Sequence, residues 1–277
     1  LWEDMLYGFS SPNDLIQLAI RALETETDIL NIQRILERLN DIFWHYLLDS
    51  QRQEIVLKLE TALKTHLDSA ETVSLKSSFF HALRSVTLTD GGISWLKNVW
   101  MKSDSITGLK FSERDYMYMA TELALRGKSE TADILNTQLE RIENPDRKAR
   151  FKFVMPALSN DELIRDTFFE NLKKEQNRAR EPWVQQAVGY LHHPLRARSA
   201  QKYIRPSLEI LEEIQKTGDI FFPSRFINAT LAGHHSLSSV EIVNRFLEEH
   251  PDYSPKLKLK IFQASDRMFR ASKILHQ

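Results

Sequence analysis

The stretch Ile29-Leu30-Asn31-Ile32-Gln33-Arg34-Ile35-Leu36-Glu37-Arg38-Leu39-Asn40-Asp41-Ile42-Phe43-Trp44-His45-Tyr46-Leu47 decides the fold class. Ile29, Ile32, Leu36, Leu39, Phe43 and Leu47 step by three or four and build one apolar stripe, the period of a helix packed on one side. The pattern repeats at Val56, Leu59, Leu63 and His66, and again at Leu237, Val240, Val243 and Leu247. No run of strict alternation marks a strand, and Asp90-Gly91-Gly92 lies between two helical patterns rather than in a hairpin. The reading is all-α.

Breakers punctuate the chain at Ser10-Ser11-Pro12, Gly91-Gly92, Gly108, Gly127, Asn144-Pro145, His193-Pro194, Gly218, Gly233 and Pro251. Ser50–Gln53, Ser159–Glu162 and Ser238–Glu241 have capping-box spacing. The helices expected between these marks are 1–8, 12–25, 28–47, 50–67, 71–87, 93–102, 112–126, 129–142, 145–157, 160–176, 181–192, 195–216, 221–231, 237–249 and 255–275, with Pro206 bending or restarting the 195–216 helix. About fifteen antiparallel helices with short connections suit an irregular α-superhelix of helix pairs, in the manner of HEAT or armadillo arrays, although no repeated sequence signature is present. Two globular bundles would hold them equally well. The segment 104–111 offers a sub-boundary.

Composition narrows the function. Of 277 residues, 42% are hydrophobic and 27% charged, with a net charge of −1, so no global field favours nucleic acid or an anionic membrane. No apolar run reaches the length of a membrane span. Cysteine is absent, which removes disulfides, thiolate nucleophiles and cysteine-based metal sites. Charge is uneven: residues 1–70 carry 6 Lys+Arg and 12 Asp+Glu, and residues 141–205 carry 14 and 8. Solvated outer faces account for this as well as a directed field does.

Catalytic patterns are missing. No His-Glu-x-x-His, phosphate-cradling glycine loop or Gly-x-Ser-x-Gly elbow occurs, and there are only eight glycines. His192-His193 and His234-His235 are adjacent pairs, which diverge on a helix and chelate poorly. Arg147-Lys148-Ala149-Arg150-Phe151-Lys152-Phe153 mixes bases and aromatics in a way that serves nucleic-acid binding, but Phe151 and Met155 are i, i+4 partners with the look of core. Asn228-Ala229-Thr230 fits the glycosylation pattern inside an expected helix and reads as chance.

The last third carries a resemblance. Its residues are Glu181-Pro182-Trp183-Val184-Gln185-Gln186-Ala187, Tyr190 to Arg196, Tyr203 to Ile214, Thr217 to Arg225, Ala229 to His234, Phe246-Leu247, Pro251-Asp252-Tyr253 and Lys260 to Asp266. Together with the opening Leu1-Trp2-Glu3-Asp4-Met5-Leu6-Tyr7, this resembles the C-terminal helical domain of bacterial M1-family zinc aminopeptidases, aminopeptidase N-like and of the Bacteroidetes type. The likeness is closest over 181–270 and rests on helical texture over 1–180. It implies that 1–277 is a single C-terminal α-helical domain cut from a longer polypeptide. The zinc and the peptidase motifs would then lie in an upstream catalytic domain. In that family the helical domain caps the catalytic domain and shapes the peptide-substrate chamber. The resemblance assigns no catalytic, cofactor-binding or metal-binding residue to this chain. The partners it implies are the upstream catalytic domain and the peptide substrate. It suggests a bacterial envelope or exported location, which the sequence itself does not assign. Charge and position nominate Arg196, Arg198 and Arg225 as peptide contacts, each able to meet a carboxylate.

Other readings stay open. A stand-alone helical-repeat scaffold would bind protein partners and carry polar capping helices. A nucleic-acid-binding repeat would use the basic middle. A helical enzyme with dispersed catalytic groups has no sequence feature in its favour.

Overall fold

Short polar side chains set about half of the helix starts by taking up N–H groups that the first turn leaves free. Ser11 accepts from the backbone N–H groups of Asn13 and Asp14, Asp28 from those of Leu30 and Asn31, and Ser112 and Asp115 form a reciprocal capping box. A computed structural model describes residues 1–127 and 130–276 of the chain. Among them are seventeen α-helical segments, three 3-10 turns and no strand, so the fold is all-α.

The chain divides into two units, 1–126 and 127–277. The first contains α1 (Trp2–Leu6), α2 (Pro12–Leu23), α3 (Ile29–His45), α4 (Asp49–Ser69), α5 (Val73–Val86), α6 (Asp90–Met101) and α7 (Glu113–Leu125). The second contains α8 (Thr131–Arg141), α9 (Pro145–Leu158), α10 (Glu162–Leu172), α11 (Glu181–Leu191), α12 (Ala197–Ala200), α13 (Ile204–Glu209), α14 (Leu211–Thr217), α15 (Phe222–Leu231), α16 (Leu237–Glu249) and α17 (Pro255–Leu275). Its 3-10 turns are Glu175–Arg178, Pro194–Arg196 and Gln201–Tyr203. Many helices pack against the next one or two α-helices in sequence, as in α2/α3, α4/α5, α3/α5, α9/α11 and α16/α17, the neighbour-to-neighbour habit of helical arrays, while in the second unit α11 also packs on α15 and α13 on α16 across the short helices between them.

The first unit buries the apolar stripe from Ile32 to Leu47, while Ile29 at its start is 39% exposed. Ile32, Leu36, Leu39 and Phe43 of α3 are at most 5% exposed, as are Val56, Leu59 and Leu63 of α4. Each such side chain contributes about 1.5–3 kcal/mol of transfer free energy. In the second unit one continuous core runs from Leu172 through Val188, Leu208, Phe226 and Phe246 to Met268.

Several expectations need correction. The division lies at 126/127 and not at 104–111. There Ile106 is buried and Phe111 packs on Phe80 at 4.7 Å and on Tyr116 at 6.0 Å, which ties the segment into the first unit. All three expected capping boxes sit two residues from the true cap. Gln51 accepts from the N–H of Leu48, so α4 starts before Ser50; Asp161 caps α10 and Ser236 caps α16. Asp90-Gly91-Gly92 forms the first turn of α6 rather than a linker, because Thr89 caps it. Of the stripe expected on α16, Val243 is buried and Val240 and Leu247 pack partly buried against the core, but Leu237 is 62% exposed, and Ser239 and Phe246 are buried beside Val243. The expected helix at 160–176 stops at Leu172 and resumes as a 3-10 turn. The helix expected at 129–142 begins at Thr131 as far as the described residues go, its first position, Ser129, lying outside them.

The largest departure is at 195–216, where one long helix is replaced by two 3-10 turns and α12, α13 and α14. Pro206 falls in the first turn of α13, where the N–H it lacks is not needed. The restart before it is therefore the arrangement in which the proline costs least.

Candidate functional site

The three nominated arginines lie on separate elements of the second unit and do different things. Arg196, in the turn Pro194–Arg196, is only 8% exposed. Its guanidinium donates to the carbonyls of Ala157 and Leu158, both at 2.6 Å, at the C-terminal end of α9. Burial, and then the nearby charge of Arg165, pull its pKa down to about 10. Arg198 is exposed on α12. Arg225, on α15, keeps 47% of its side chain exposed, pairs with Asp219 at 3.8 Å and lies 5.5 Å over the ring of Phe221. Arg196 thus serves a helix end, and the structure does not gather the three into one recess.

Arg196 belongs to a set. Arg52 donates to the carbonyls of Phe43, Trp44 and Leu47 at the end of α3, the last at 2.7 Å. Arg126 donates to the carbonyls of Ser85 and Thr87 at the end of α5. Arg165 reaches Ser159 and Asn160 just past α9, at 2.7 and 2.9 Å. Arg178 reaches Leu172 and Lys173 at the end of α10, at 2.7 and 2.8 Å, and also pairs with Glu213. The last carbonyls of a helix have no intrahelical partner and carry the negative pole of its dipole. A planar guanidinium with donors on several nitrogens meets both needs at once. The end of α9 receives two of them, on four successive carbonyls.

The histidine pairs combine in a way adjacency in sequence does not suggest. His192, just past α11, and His234, just past α15, are 1% and 2% exposed, and His192 Nδ1 lies 2.8 Å from His234 Nε2. His192 Nε2 and His234 Nδ1 are buried with no hydrogen-bond partner. Tyr203 sets its ring edge on His192 at 6.0 Å and 81°, stacks on Phe169 at 4.6 Å, and donates its hydroxyl to Asp166. Burial is the main force on both imidazoles. It holds His192 well below the ordinary imidazole range, with the charge of His234 adding to it, and holds His234 at about 4, with the charge of His235 adding to it. At neutral pH the pair is uncharged and shares one hydrogen bond. The backbone enforces this meeting: a Cβ on Gly233 would stand 1.7 Å from the carbonyl oxygen of His192, so no other residue fits.

Recesses are shallow and open. Between α3 and α5 a polar groove of about 520 Å³ is lined by Gln33, Glu37, Asn40, Ser78 and His81, with Asn40 and Ser85 bonded at 2.6 Å. Between α8, α9 and α10 an apolar one of about 550 Å³ is lined by Leu135, Met155, Pro156 and Ile164. A third, of about 490 Å³, lies where α9, α10 and the start of α11 converge, with Phe153, Phe168 and Trp183 forming its wall and Arg180 on its rim. Of the pair expected in the core, Phe151 is buried but Met155 is half-buried and lines the apolar groove, while Phe153 faces the aromatic one.

Among the described residues, no three His, Asp or Glu side chains come together so that they could hold a metal ion, and the His192–His234 pair has no carboxylate or third imidazole to complete a ligand set. No helix among them is long and apolar enough to cross a membrane. No protein-family model matches the chain, and no curated protein matches its sequence.

Proposed function

We propose that the chain is the non-catalytic C-terminal helical domain of an M1-type zinc aminopeptidase, capping the catalytic domain and shaping the chamber that admits peptide. The observation that supports this reading is the match between the span of the sequence resemblance, 181–270, and the single buried core that runs from Leu172 to Met268. Several of the residues that carry the likeness, among them Val184, Ile204, Leu208, Leu211, Phe222, Phe246 and Ile261, belong to that core. The buried arginines and histidines of that body serve helix ends and helix joints, a use of polar side chains suited to a rigid wall rather than to chemistry. Zinc and the reacting groups belong, on this reading, to the upstream domain.

The test is the coding sequence upstream of Leu1. A His-Glu-x-x-His motif followed by a glutamate ligand, in frame with this chain, supports the proposal. A start codon immediately before Leu1 with no such motif overturns it. The second reading, a helical scaffold for protein partners, then takes its place. That reading is favoured by the apolar groove between α8, α9 and α10, whose rim includes Ile164 at 45% exposure.

A further inference from the structure

The aromatic groove of the second unit has no part in the reading above, and its construction points to a ligand class. Phe153 meets Phe168 at 5.7 Å and 77°, and Trp183 at 5.8 Å and 59°. All three are half-buried, so each keeps a portion of ring open to the groove. Asn171, Gln176 and Asn177 supply side-chain amides along one side. Arg180 is exposed and lies 5.5 Å over the ring of Trp183.

The surrounding charge is one-sided. Residues 147–153 hold Arg147, Lys148, Arg150 and Lys152 and no acid, and residues 173–180 hold Lys173, Lys174, Arg178 and Arg180 against Glu175. Some of these have partners: Arg178 pairs with Glu213, Lys173 with Glu170 at 2.7 Å, and Arg150 bonds Gln186 at 2.6 Å. Glu181, beside Arg180 in sequence, accepts from the N–H of Asp219. Lys148, Lys152, Lys174 and Arg180 remain as exposed positive groups on these two segments, with Glu175 the exposed acid among them, and Arg180 is the one that lines the groove itself.

We propose that this groove is a docking site for an acidic peptide segment. An apolar side chain of the segment would rest against Phe153, Phe168 and Trp183 while its carboxylates meet Arg180 and the neighbouring lysines. A bidentate carboxylate–guanidinium contact beside an aromatic anchor is a recurrent binding arrangement. Single-stranded nucleic acid, which also favours aromatics amid positive charge, fits less well. Bases need an open ring face to stack on, whereas the three rings here meet one another at steep angles and the ring of Trp183 lies under a guanidinium. The inference is independent of the aminopeptidase reading.

The experiment is fluorescence anisotropy on the full chain. The probe is a short fluorescein-labelled peptide in which a Phe-Leu pair is flanked on both sides by glutamates. Anisotropy should rise with added protein. Arg180→Glu, an exposed change that leaves the circular dichroism and melting temperature in place, should weaken binding about tenfold or more. Lys273→Glu, the same charge change at an exposed position of α17, should leave it unaltered, and Trp183→Ala should abolish it. Failure of the probe to bind, or equal weakening by Arg180→Glu and Lys273→Glu, overturns the proposal. So does a short oligothymidine strand that binds more tightly than the peptide and is lost on Arg180→Glu, since the groove then serves nucleic acid.

Discussion

The stretch 29–69 of the first unit and the stretch 192–234 of the second are built on different principles. In the first, α3 and α4 run for 17 and 21 residues, and their buried positions follow helical period almost without interruption. In the second the chain advances by short pieces between two buried histidines, an arginine that holds the end of another helix, and a glycine pressed onto a carbonyl. A one-sided apolar face leaves the backbone free to stay regular. Buried polar groups inside α4, Arg52 and Glu60, reach their partners with long side chains and leave the helix regular, whereas His192, Arg196 and His234 sit where the chain itself turns to deliver them.

The contrast is broken most severely at Gly233. Gly233→Ala places a methyl where the carbonyl of His192 stands, and the joint between α11 and α15 cannot form; a loss of ~4 kcal/mol or more is expected, read as collapse of the second unit's melting transition. If Gly233→Ala melts like the parent chain, the second stretch is no more constrained than the first. Next in size is Arg196→Met, which keeps bulk but leaves the carbonyls of Ala157 and Leu158 buried without donors. A cost of about 1–3 kcal/mol is expected in chemical denaturation, whereas Arg198→Met on the exposed face of α12 should stay within about 0.5 kcal/mol.

Acid sharpens the comparison further. The unfolded chain takes up protons on these imidazoles near the ordinary value of 6.5, and the folded chain holds His234 at about 4 and His192 well below the usual range. The unfolded state therefore binds more protons below pH 6.5, so stability contributed by the pair is complete above that value and is lost as pH falls toward 4. Denaturant midpoints measured across this window should fall steadily, and His234→Gln should flatten the slope. An unchanged slope would mean that two histidines of the first unit, part-exposed His66 and His81, whose burial also lowers their pKa, dominate instead. The smallest expected effect is Gly189→Ala, inside α11 with nothing within 4 Å of the added methyl. A gain of up to about 1 kcal/mol follows from the better helix former, and a loss would show that α11 is as crowded there as at its end.

Helix existence was legible almost everywhere, because it rests on spacing. Of the fifteen helices expected, the one at 195–216 failed, those at 237–249 and 255–275 have the expected ends, and the rest differ at their ends by a few residues among the described positions. Caps were less legible: Ser50, Ser159 and Ser238 had the right partners at the right spacing, yet Leu48, Asp161 and Ser236 start the helices. A cap depends on where the backbone turns, which local pattern leaves loose. The arginine set has a signal in the sequence. Arg52 is in register with Ile55, Val56 and Leu59, and Arg165 with Phe169 and Leu172, so each charge sits on an apolar stripe. A cation at a core position has to find buried acceptors, and helix ends supply them. The His192–His234 contact spans 42 residues and had no local signal at all.

The arginine set has a consequence for the order in which the molecule comes apart. Guanidinium groups keep their charge at every pH where imidazole changes its own, Arg196 included with its value near 10. Acidification therefore loosens the hinge between the ends of α11 and α15 while the ends of α3, α5, α9 and α10 stay clasped. In a hydrogen-exchange experiment at mildly acid pH, backbone amides around 192–196 and 231–235 should then trade their protons for deuterium ahead of the global unfolding event. The second unit would have a designated point of first opening, set by which of its buried cations can be made and unmade.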